Sequence, residues 1–169
     1  TEDSDIDAVE AWEIDKGGSD IIVAVIDTGV DYTHPDLVGN LWTNPNENPN
    51  NGIDDDNNGM VDDWRGWNFI FLDDNSNGLC DRYPEDPGLD EGCNDPYDEV
   101  GHGTHVAGTI GAMSNNGFGV AGLMWHVSIM PLKVCDSDGC AIDAIEDAIE
   151  YAVLEGARVI NLSLGGYVF

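Results

Sequence analysis

Residues 20–27, DIIVAVID, form an unbroken apolar run, mostly β-branched, closed by Asp27-Thr28-Gly29. So short and uniformly apolar a run reads as a strand buried on both faces, as in a parallel sheet covered by helices. VSIMPLKV (127–134) and RVINLSLGG (158–166) read as further strands, the latter also buried. Between them, AIDAIEDAIEYAVLEG (141–156) puts apolar residues at 142, 145, 149, 152 and 153, spaced for one helical face. Asp143, Glu146, Asp147 and Glu150 point away from that face, and Gly156 ends the helix. Strand, helix, strand is a βαβ unit, so the expected fold is α/β: three layers, with a mainly parallel central sheet flanked by helices. At 169 residues the chain is the size of one domain.

Charge limits the partners. The chain carries 34 Asp and Glu against 5 Lys and Arg, a formal −29, and such a surface repels nucleic acid and anionic membranes. The sequence holds no run of about 18 apolar residues, the length needed to span a bilayer. The N-terminus TEDSDIDAVE has neither the basic nor the apolar region of a signal peptide, so a targeting segment is expected to have been removed already. Bound cations, solubility in high salt, or a solvated face without a specific role each account for such acidity.

Residues 40–98 read as a long acidic insertion of Asn, Asp, Gly and Pro, broken by WRGWNFIF. Such a segment needs something other than a regular core to hold it. Within it, DDDNNGMVD (54–62) places Asp54, Asp56 and Asn58 at the first, third and fifth positions of a calcium loop. Gly59 then takes the turn, the Met60 carbonyl the seventh position and Asp62 the ninth. The twelfth position is Arg65 rather than Glu, so this is not an EF-hand, and Asp63 is the carboxylate that can close a tighter loop. Asp73, Asn75, Asn77, Gly78 and Asp81 repeat the register with fewer charges and lower expected affinity. Ca²⁺ is the expected cofactor.

Cys80, Cys93, Cys135 and Cys140 form no CxxC, which argues against a four-thiolate zinc site. Of three possible pairings, nearest-neighbour bridging, Cys80 to Cys93 and Cys135 to Cys140, closes short loops in polar, turn-rich sequence. It implies an oxidising, extracellular setting.

GHGTHVAG (101–108) opens a small-residue helix near His102. A zincin needs histidines at i and i+4 with an intervening Glu; here the spacing is three and no Glu intervenes. GFGVAG (117–122) matches a dinucleotide-loop pattern by letter only, since it follows a helix. Together, VAVIDTGVDYTHPDL (23–37) and GHGTHVAGTIGA (101–112) closely resemble the Asp and His signature segments of the subtilisin-like serine proteases. NLSLGG (161–166) resembles that family's substrate-groove strand.

The resemblance implies a secreted serine endopeptidase acting on proteins or peptides, with Asp27 as the triad carboxylate and His102 as the general base. His105 matches a position that packs near the base without being catalytic. Glycines at 101, 103 and 108 are expected to let the helix approach its neighbours. An extended substrate would pair with Gly139, Cys140 and Ala141 on one edge and Ser163, Leu164 and Gly165 on the other. A Cys135–Cys140 bridge would stiffen the first edge. The family also implies a further calcium site joining Asp36 to Asn116.

The family's Gly-Thr-Ser-Met-Ala nucleophile segment and its oxyanion-hole Asn do not occur here, and the start is shorter than usual. The chain is therefore expected to be the N-terminal part of a catalytic domain, residues 1–169, with an incomplete sheet and no activity alone. The partner it needs is the C-terminal remainder carrying the Ser; a pro-segment or inhibitor is a further expected partner. Phe169 would suit self-cleavage after an aromatic residue. The alternative is a non-catalytic calcium-binding or scaffold module of the same descent.

Overall fold

The computed structural model describes residues 6–70 and 94–165. Helix α1 (Ala8–Ile14) precedes the long strand β1 (Gly17–Asp27); a single 3-10 turn (Val38–Asn40) and the short strand β2 (Trp67–Asn68) follow. Helix α2 (His102–Gly111), strand β3 (His126–Lys133), helix α3 (Ile142–Leu154) and strand β4 (Val159–Leu162) complete the order. The strands form one sheet in the order β2-β3-β1-β4, every pairing parallel.

Alternation along β1 and β3 builds a core on each sheet face, because successive strand side chains point to opposite sides. Ala24, Ile26, Met130 and Leu132 face α3 and pack with Ala144, Ala148, Tyr151 and Ala152. Val23, Val25, Val127 and Ile129 face the other way and pack with Ala107 of α2, Val30 and Leu37. The result is the three-layer α/β architecture expected from the apolar runs.

Three local readings change. The buried face of α3 is the small-residue side, Ala144, Ala148 and Ala152 with Tyr151, while Ile142 and Val153 are 76% and 62% exposed. Of the expected face, Ala152 is buried and Ile145 and Ile149 pack half-buried against the core, while Ala144 and Ala148 bring the helix backbone close to the sheet and leave Ile142 and Val153 outside. Strand β4 lies at the sheet edge, with Val159 and Leu162 half exposed, rather than buried on both sides. The insertion also carries more core than its polar composition implies: Trp42, Trp67 and Phe69 are buried against β3 and α3, and β2 pairs with β3 at Leu132 and Lys133.

Candidate active site

Strand β1 ends at Asp27, at the C-terminal edge of the parallel sheet, where such folds gather their ligands. Asp27 is fully buried and His102, the first residue of α2, is half exposed. His102 Nδ1 lies 2.7 Å from Asp27 Oδ1, which also accepts the Thr28 amide at 2.7 Å. A carboxylate only accepts, so the imidazole carries its proton on Nδ1 and leaves Nε2 free to take another. The bond from His102 to Asp27 holds the imidazolium above the usual histidine range, reinforced by the charges of Asp27 and Asp98. Asp27 Oδ2 is buried without a hydrogen-bond partner among the described residues.

Two glycines permit this contact. Gly29 turns the chain at φ +96°, where a Cβ would press on the carbonyls of Pro96 and Tyr97. A Cβ on Gly103 would fall on the Gly29 carbonyl oxygen and lie 3.1 Å from the Asp27 side chain. Gly101 adopts φ +97° at the start of α2, whereas nothing crowds Gly108, which needs no glycine for packing. His105 is exposed rather than packed.

The expected substrate edges lie at the surface. Cys135 and Cys140 are bonded to each other and close the turn over residues 136–139, with Asp136 N donating to Gly139 O at 2.9 Å. Ala141 N donates back to Val134 O at 3.1 Å, so Gly139, Cys140 and Ala141 sit on a stapled rim above the end of β3. Ser163, Leu164 and Gly165 continue from β4, the Ser163 hydroxyl accepting from Asn161 at 3.0 Å. Cys80 and Cys93 lie outside the described residues, as do Asp73, Asn75, Asn77 and Asp81.

The first acidic loop gathers carboxylates. Ligand oxygens of Glu47, Asp54 and Asp56 lie within 4.8 Å of one another, and so do those of Asp56, Asp63 and Glu155. Asn44 donates to both Asp56 and Asp63, at 3.0 and 3.1 Å, while Asn58 and Tyr151 donate to Asp63 at 2.9 and 2.6 Å. Burial, then the neighbouring carboxylates, push Glu47 and Glu155 above the ordinary glutamate range. Asp63 is likewise raised, chiefly by burial, against the bonds that it accepts. Glu47 is 7% exposed, and its Oε2 has no partner among the described residues. An orphaned buried carboxylate oxygen amid mutually repelling acids fits a hard cation that takes oxygen ligands.

Asp62 stands outside both acid groups, its two oxygens accepting the Asn51 and Gly52 amides at 2.9 and 2.8 Å. Met60 packs toward the core, its amide bonded to Asn58 Oδ1 at 2.8 Å. Asp36 and Asn116 do meet, but Asn116 donates its amide NH₂ to Asp36 Oδ1 at 2.7 Å, and Val120 N donates to Oδ2 at 2.8 Å. The Val120 bond, then the Asn116 bond, hold Asp36 below the usual carboxylate range. Both oxygens are thus satisfied within the protein, and Gly119 in GFGVAG lies too close to Asp36 for a side chain.

Sequence reasoning passed over Glu47, Asn44, Tyr151 and Glu155, because 47 and 155 stand outside the loop register and only the fold brings α3 beside it. It also passed over Asp98, whose one signal was its place three residues before Gly101.

A parallel α/β/α sheet with Asp27 against His102 defines a subtilisin-like site. The Subtilase family model matches residues 18–168, and the chain belongs to that family. A thermophilic serine proteinase of Bacillus sp. (strain AK1) is 37% identical over 156 residues, covering 92% of this chain and 28% of its own. Thermitase of Thermoactinomyces vulgaris is 34% identical over 164 residues, covering 96% of this chain and 43% of its own. The crystal structure of fervidolysin from Fervidobacterium pennivorans matches with a TM-score of 0.58 at 30% identity, over 94% of this chain and 19% of that one. The chain therefore spans less than half the length of these relatives.

Proposed function

We propose that this chain is the Asp- and His-bearing part of a secreted, calcium-stabilised serine endopeptidase. The observation that carries the reading is the 2.7 Å contact between His102 Nδ1 and the buried Asp27 carboxylate. In this reading, Asp27 holds the imidazole in the tautomer whose Nε2 can accept a proton. His102 takes the proton of a serine hydroxyl as that oxygen attacks the scissile carbonyl. The imidazolium, stabilised by Asp27, then passes the proton to the leaving amine. The serine and an oxyanion-hole donor come from the remainder of the catalytic domain. The substrate lies extended between residues 139–141 and 163–165, adding a strand whose backbone hydrogen bonds supply affinity.

Calcium would be held by Glu47, Asp54, Asp56, Asp63 and Glu155, neutralising their repulsion and fastening the insertion to α3; it takes no part in the proton transfers. Support for a secreted protein is the Cys135–Cys140 bond together with likenesses such as the cell wall-associated protease of Bacillus subtilis (strain 168), 36% identical over 149 residues. No helix among the described residues is long and apolar enough to cross a membrane.

A fluorophosphonate label on the full-length protein tests the reading. Labelling that His102→Ala abolishes is expected. An unlabelled, folded, calcium-loaded protein would favour a non-catalytic module.

A further inference from the structure

The segment before α2 holds a buried acid that the proton-transfer scheme does not use. Asp98 is 6% exposed and accepts five hydrogen bonds. Its Oδ1 takes Thr28 Oγ1 at 2.8 Å and the amides of Val100 and Gly101 at 3.0 and 2.8 Å. Its Oδ2 takes both the amide and the hydroxyl of Thr104, at 2.8 and 2.6 Å. Thr28 stands next to Asp27, and its hydroxyl oxygen also accepts the Gly103 amide at 2.9 Å. The first turn of α2 has four amides without helical partners. Gly101, at the helix start, has no capping side chain of its own.

We propose that Asp98 is a positioning residue for the Asp27–His102 pair, locking the first turn of α2 onto the end of β1 so that imidazole and carboxylate stay aligned. One side chain grips elements on both sides of the contact: Thr28 beside the carboxylate, and Gly101 and Thr104 around the imidazole. Asp98 is itself held. Lys133, only 3% exposed, donates to Tyr97 O at 2.9 Å and to Glu99 at 3.1 Å, fixing both neighbours of Asp98. Val30 N donates to Pro96 O at 3.0 Å, and the Tyr32 and Tyr97 rings meet edge to face, tying the same segment to the chain beyond β1.

The arrangement has an electrostatic consequence. Among the described residues, the charges acting on the imidazole are Asp27 at the end of β1 and Asp98 before α2. Lys133 of β3, level with Asp27 in register, is turned to Tyr97 and Glu99 instead. Asp98 therefore adds a second negative field that favours the imidazolium, and hydrogen bonds from Thr104 and the amides of Gly101 and Thr104 overcome the effect of burial and keep Asp98 ionised. A plain helix cap would influence stability alone; a residue that aligns the pair also sets where its imidazole titrates and how fast it works.

This inference rests on the protease reading, and the test separates the two. In the full-length enzyme, Asp98→Asn keeps the size but removes the charge and turns an NH₂ toward donors. Its kcat should fall about 10- to 100-fold, because small misplacements near the reacting groups cost up to about 10²-fold. KM should stay within about twofold, and the acidic limb of the kcat/KM profile, which reports the free enzyme's essential groups, should move to lower pH. Thr104→Val, which loses the hydroxyl bonds to Asp98 and to the Asp31 amide but keeps the Asp98 charge, should lower kcat the same way with the acidic limb unmoved, and Thr104→Ser should restore kcat. A folded Asp98→Asn enzyme with wild-type kcat and acidic limb overturns the inference. If that variant does not fold, a wild-type kcat in Thr104→Val overturns it instead. Turnover retained by His102→Ala would overturn the protease reading itself, and this inference with it.

Discussion

The Tyr151 hydroxyl donates to Asp63 Oδ2 across 2.6 Å, joining the last turn of α3 to the acidic loop eighty-eight residues earlier in the chain. Glu155, one helical turn on, brings its own carboxylate to the same cluster. Burial, followed by the Asp63 charge and hydrogen bond, raises the Tyr151 phenol far above its ordinary range, so it remains a donor. The insertion is thus anchored where carboxylates crowd, and a cation there would act on the whole α3 layer.

Calcium should therefore stabilise the full-length protein. A ligand at a hundred times its dissociation constant adds about 2.7 kcal/mol, enough to raise Tm by several degrees. Calorimetry with excess EGTA against millimolar Ca²⁺ measures the difference, and Glu47→Gln should reduce the gain. An unchanged Tm in chelator would remove the cation from the account.

Gly103 decides how closely α2 approaches β1. Gly103→Ala sets a methyl group against the Gly29 carbonyl and forces the helix start outward. Steady-state kinetics of the full-length variant should show kcat reduced at least about tenfold, with a smaller change in KM. A fully active alanine variant would show that the close approach is not needed.

The Cys135–Cys140 bond staples the rim that carries Gly139, Cys140 and Ala141. Opening it with a mild reductant, or replacing both cysteines by serine, should raise KM more than it lowers kcat, because in the proposed reading residues 139–141 pair with the substrate and take no part in the proton transfer. An unchanged KM would argue against this edge as a substrate strand.

Much of this was legible in the sequence for physical reasons. A buried parallel strand needs unbroken β-branched apolar residues, so DIIVAVID disclosed β1, whereas the pairing of Asp27 with His102 was implied only by the family resemblance of their segments. The α3 face was legible at Ile145, Ile149 and Ala152, but Ile142 and Val153 fall outside it, because the sheet takes the small Ala144 and Ala148 closest. The cation cluster was half legible. Asp54, Asp56 and Asp63 follow a local register, but Glu47 and Glu155 join them only through the tertiary fold, and Asp62 is drawn off to cap the turn at Asn51 and Gly52. Asp98 gave little local signal because its partners, Thr28 and Thr104, lie on both sides of a contact that only folding creates.

In the proposed mechanism Asp27 orients His102 and favours its charged form, and the pH profile of kcat/KM reads that effect. Because the carboxylate favours the imidazolium, His102 must lose its proton at higher pH than an ordinary histidine, whose pKa is about 6.5. By the same sign, the ion pair adds stability below that ordinary value and loses it as pH rises through the raised one. The full-length enzyme should show an acidic limb displaced upward, and Asp27→Asn should move it down while lowering kcat on the order of 10⁴-fold. An acidic limb at the ordinary histidine position, together with an Asp27→Asn enzyme of undiminished kcat, would contradict the account.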